Sequence, residues 1–133
     1  MKTQNSILIA TVAALAFALA PVTEAVTPPL PLIGISHGWG NSFELIESGV
    51  PFFGVYVNFK VSGTAIPGVD YHALVSPAYV PRSGYGAIPV QTLPDPRASS
   101  NNEMYSVVVT LEPGPGYVVG QPSSAVIWIM PRV

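Results

Sequence analysis

Proline and glycine punctuate this chain more tightly than a helix tolerates. Its 133 residues include 15 prolines and 12 glycines, which recur every few positions from Pro28 to the end. Proline lacks the amide hydrogen that a helix interior needs, and glycine weakens a helix entropically. Long helices are therefore excluded beyond the N-terminal segment, where no window keeps a 3.6-residue apolar period. Short runs with a period of two survive between the breakers. In residues 55–62, Val55, Val57, Phe59 and Val61 alternate with Tyr56, Asn58, Lys60 and Ser62, so one strand face meets a core and the other solvent. Residues 43–46 begin with the same alternation, and the β-branched run within 106–111 reads as a central strand. In 125–130, Ile127 and Ile129 stand opposite Val126 and Trp128. Weaker candidates are 32–35, 71–75 and 87–93, the last pushed toward an edge or bulge by Pro89. About seven short strands separated by turn signals predict an all-β sandwich, with a small closed barrel as the alternative.

The N-terminus has the features of an export signal. Lys2 supplies a positive start, residues 7–20 are apolar, and Thr23-Glu24-Ala25 offers small residues for cleavage after Ala25. The competing Ala18-Leu19-Ala20 site would leave Pro21 in an unfavourable position. The apolar run is shorter than the roughly 20 residues of a bilayer span. We therefore read residues 1–25 as a cleavable signal, 26–41 as a Pro/Gly-rich lead-in with the first strand, and 42–133 as one domain. The expected location is periplasm, cell surface or medium. The chain has no cysteine, which excludes thiol redox chemistry and thiolate zinc and fits a bacterial exported protein. Beyond the signal the cations are only Lys60, Arg82, Arg97 and Arg132, set against Glu44, Glu47, Asp70, Asp95, Glu103 and Glu112. No basic stripe marks a nucleic-acid binder. A surface so poor in charge suits packing against a protein or cell-surface partner.

One stretch carries a more specific signal. Gly63-Thr64-Ala65-Ile66-Pro67-Gly68-Val69-Asp70-Tyr71 ends a tight Gly/Pro turn on a carboxylate, and 116–129 forms a second distinctive block. The first closely resembles the signature of Calx-beta domains, and the second resembles that family's closing segment. The resemblance spans most of 43–129, with 43–49 similar to an early strand and turn. It implies an Ig-like Greek-key β-sandwich acting as a non-catalytic structural or adhesive module. It also implies calcium at one end of the sandwich, with Asp70, Asp95 and Glu103 as the ligands. Departures from the pattern limit such a site. Pro96 replaces the second acid after Asp95, and counting back from Leu111 puts Tyr105 rather than Glu103 on one glutamate position. The lead-in, where the family often has an acid, reads Ile35-Ser36-His37-Gly38-Trp39-Gly40-Asn41 here, and Met130-Pro131-Arg132 follows where paired aspartates often end the last strand. Calcium takes six to eight oxygens, so the resemblance implies at most one weak site, with affinity in the roughly 10⁻⁴–10⁻³ M extracellular range. The alternatives are a calcium-free interaction module and, from another class, a small secreted hydrolase or enzyme inhibitor.

Each of these residues also has a plainer reading. Asp70 can simply accept backbone amides in its turn. Asp95 and Glu103 can be solvated loop acids. Asp70 and His72 would share a strand face, but no nucleophile elbow accompanies them. His37 and His72 are too few for zinc. Gly38-Trp39-Gly40 and Gly84-Tyr85-Gly86 place aromatics in glycine-rich loops, where they lie over the core edge or meet a carbohydrate or protein. Tyr71 and Tyr117 are expected at sandwich corners with their hydroxyls on backbone groups. Trp128 is expected in the core.

Overall fold

The computed structural model describes residues 29–49, 54–94 and 103–130. The signal segment and Asp95 lie outside them. Nine strands run through the described residues: β1 (Leu32–His37), β2 (Ser42–Ser48), β3 (Val55–Val57), β4 (Phe59–Ser62), β5 (Ala78–Val80), β6 (Tyr85–Pro89), β7 (Tyr105–Leu111), β8 (Val118–Val119) and β9 (Ser124–Ile129). They form a four-stranded sheet ordered β6-β2-β1-β8, a two-stranded sheet β3-β5 and a three-stranded sheet β4-β7-β9. All pairings are antiparallel except β1 with β8. The protein is an all-β, immunoglobulin-like sandwich.

Alternation within the strands builds the core. Ile33 and Ile35 of β1 and Phe43 and Leu45 of β2 are buried. They share one core with Val107, Val109, Ile127 and Ile129 from β7 and β9. The 55–62 run keeps its predicted faces, with Val57 and Phe59 buried and Tyr56 and Lys60 exposed. It changes partners midway: β3 pairs with β5 and β4 with β7. Asn58 marks the switch. Its amide donates to the Tyr117 hydroxyl (3.0 Å), its carbonyl accepts from the Glu112 amide (2.9 Å), and its side-chain Nδ2 donates to the Pro113 carbonyl (3.3 Å). The Tyr117 hydroxyl in turn donates to the Glu112 carbonyl. Tyr117 thus has the backbone-tied role expected of it.

Three expectations are corrected. Residues 71–75 form no strand: Tyr71 makes only isolated bridges, to Pro67 and Thr92. Tyr71 is fully buried, but its hydroxyl meets no hydrogen-bond partner. Trp128 is 55% exposed rather than in the core. The reason is its register. Ile127 and Ile129 take the inward positions of β9, and a period of two then turns Trp128 outward, opposite Ser106. Pro89 does sit on an edge strand, since β6 ends the four-stranded sheet.

Candidate functional site

The Gly63–Tyr71 stretch folds into a turn whose polar groups hold one another. Gly63 has φ 113°, a conformation that L side chains rarely adopt, and a Cβ there would run into the Ser106 carbonyl. This close approach lets the chain lock onto the start of β7. The Thr64 amide donates to Ser106 Oγ (3.0 Å), the Ser106 amide donates to Thr64 Oγ1 (2.8 Å), and the Ala65 amide donates to the Ser106 carbonyl (2.9 Å). Further on, the Ile66 carbonyl accepts the amides of Val69 (3.1 Å) and Asp70 (2.8 Å). Asp70 answers from the other side: its Oδ2 accepts the Ile66 amide at 2.6 Å. The carboxylate is 2% exposed. A charged acceptor on a backbone amide makes a short, strong bond, and here it closes the turn.

Asp70 also anchors the next segment, because its carbonyl accepts the Leu93 amide at 2.9 Å. The adjacent Tyr71 ring sits in the core. Burial, and then the Asp70 charge, push its phenol above the ordinary value of 10.0.

The three acids of the calcium reading have different surroundings. Asp70 is buried within its turn, Glu103 is exposed just before β7, and Asp95 lies outside the described residues. Among the described residues, no group of three Asp, Glu, His or Cys side chains converges to hold a metal ion. His72 is exposed while Asp70 is buried, and neither lies on a named strand. His37 Nε2 is hydrogen-bonded to the Gly40 carbonyl at 2.8 Å, across the β1–β2 hairpin.

Of the two placements open to the glycine-flanked aromatics, both take the outward one. Trp39 is 96% exposed, so it does not lie over the core edge. It shares the rim of one surface depression with Tyr85, although the two are far apart in the chain. The glycines around each were the sequence signal; that both line one depression follows from the β2–β6 pairing, in which Ile46 faces Tyr85 and Glu44 faces Ala87.

No protein-family model matches the sequence. No curated protein matches it either. The fold does match a solved structure, the crystal structure of CBD12 from CALX1.2, with a TM-score of 0.52 and 14% sequence identity. The match covers 76% of this chain and 42% of that one, so the chain spans less than half of the structure it resembles. At this identity the likeness establishes a Calx-beta-like fold.

Proposed function

We propose that this chain is an exported, non-catalytic structural or adhesive module of Calx-beta type, and that the Asp70 end of the sandwich takes up one calcium ion weakly. The tethering of two loops to a single turn carries this reading. The Leu93 amide on the Asp70 carbonyl holds the chain two residues before Asp95, and the Thr64–Ser106 bonds hold it three residues after Glu103. Both acids therefore start from backbone fixed to the same turn. An ion shared between them would cross-link loops that otherwise repel, and its binding energy would appear as folded-state stability.

The burial of Asp70 favours a second reading, a calcium-free module in which that carboxylate serves only its turn. Thermal melts in chelator, then with millimolar calcium or magnesium, separate the two. At calcium about tenfold above Kd the gain is about 1.4 kcal/mol, a Tm rise of several degrees. Calcium alone should produce it, and Asp95→Asn or Glu103→Gln should remove it. These two substitutions are better probes than Asp70→Asn, which breaks the turn whether or not an ion binds. A Tm indifferent to calcium in the unsubstituted protein would establish the second reading.

A further inference from the structure

The outer face of the four-stranded sheet is built as a shallow groove. Residues directly opposite one another in the ladder share a face. Ser36, Glu44 and Ala87 therefore form one row across β1, β2 and β6, and Gly34, Ile46 and Tyr85 form the next. Small residues occupy much of the middle. Large aromatics stand at the rim, Tyr85 at 59% exposure and Trp39 on the β1–β2 hairpin. Two adjoining depressions result. One, of about 260 Å³, lies among Trp39, Ser42, Glu44 and Tyr85. The other, of about 200 Å³, lies among Gly34, Ser36, Ile46, Ser48 and Gln121. Ser36 of the second is the ladder partner of Glu44 in the first.

The indole of Trp39 is held in solvent by a braced hairpin. The Gly38 amide donates to the Ser42 carbonyl (2.7 Å), His37 bridges to the Gly40 carbonyl, and the Val90 amide donates to the Asn41 carbonyl (2.7 Å). Gly40 takes φ 60°, which the tight reversal requires. Exposing a large ring on fixed backbone forgoes its hydrophobic burial, and it presents a rigid aromatic platform at little further entropic cost.

We propose that this groove binds a neutral oligosaccharide. One face of a pyranose is a patch of C–H groups with partial positive charge, which matches the negative face of an indole or phenol ring. Its rim of hydroxyls needs acceptors and donors, which the Glu44 carboxylate, Ser36, Ser42, Ser48 and Gln121 supply. Among the described residues the lining contains no lysine or arginine, so an acidic sugar or phosphorylated glycan would find repulsion from Glu44 and no counter-charge there. The two adjoining depressions fit consecutive sugar units of a chain.

The test uses fluorescence of a Trp128→Phe variant, in which Trp39 is the sole tryptophan, with chelator present throughout so that the outcome is independent of calcium. The probes are an array of neutral oligosaccharides, including hexamers of β-linked glucose, β-linked N-acetylglucosamine and mannose. At least one should shift Trp39 emission saturably. Trp39→Ala and Glu44→Gln should each weaken its binding at least tenfold by calorimetry, with Tm unchanged. The proposal is overturned if no probe moves the emission up to millimolar concentration, or if binding survives Trp39→Ala intact. It is also overturned by a protein partner held equally well after its glycans are removed.

Discussion

At the turn end, Asp70 is buried and its carboxylate grips the Ile66 amide; on the outer face of the four-stranded sheet, Trp39 stands almost wholly in solvent. Residue type alone would reverse these places, since a carboxylate belongs in water and an indole in a core. The inversion separates what the fold needs from what it offers. Asp70 is consumed by the protein itself, and its motif marks a point where three chain segments are joined. Trp39 contributes no core packing, and the hairpin beneath it is braced all the same.

The first way to break this contrast is to cut the turn. Asp70→Ala removes a charge-assisted hydrogen bond from the Ile66 amide to a buried carboxylate, and should cost about 3 kcal/mol. That lowers Tm by more than about 10 °C in a domain of this size, measurable by calorimetry. A drop of only a degree or two would mean that the carboxylate is not the clasp described. Next in size is Tyr117→Phe, which strips the acceptor from the Asn58 amide and the donor from the Glu112 carbonyl. A loss of about 1–2 kcal/mol is expected from denaturant titration.

Tyr71→Phe should act in the opposite direction. The hydroxyl it removes is buried and unpartnered, so stability should hold or rise, by up to about 1 kcal/mol. The same pair of proteins sharpens the picture at alkaline pH. Because the folded-state pKa of Tyr71 lies above its ordinary 10.0, the folded form holds that proton more tightly than the unfolded chain. Its contribution is complete below about pH 10 and is lost as pH rises through the folded-state value. Urea midpoints across that window should fall more steeply for the native protein than for Tyr71→Phe. The smallest effect belongs to the sheet face: Trp39→Ala should change stability by no more than about 0.5 kcal/mol. A larger loss would place the indole in the fold's own packing and dissolve the contrast.

Much of the sandwich was legible because burial in strands leaves a period of two. The 55–62 alternation predicted which side chains enter the core, even though the strand changes sheets at Asn58. The two- and three-residue strands β8 and β5 are too short to leave a pattern. Residues 71–75 looked like a strand from composition, yet the backbone there is committed to bridges with Pro67 and Thr92. Trp128 was misplaced by letting residue type outrank alternation, which had already assigned Ile127 and Ile129 inward. The Asp70 turn was visible as a motif, but its burial was not, because that depends on β7 and on residue 93 arriving from elsewhere. The placing of Trp39 and Tyr85 around one depression depends likewise on long-range β2–β6 pairing, for which a single sequence offers no signal.

The partner exchange at Asn58 bears on how such a domain comes apart. β3 and β4 are two halves of one nearly continuous strand, stitched to β5 before Asn58 and to β7 after it. Neither the two-stranded nor the three-stranded sheet can peel away while the other stays whole, because the same length of backbone is a thread in both. These two sheets should therefore be lost together, with no intermediate in which one outlives the other.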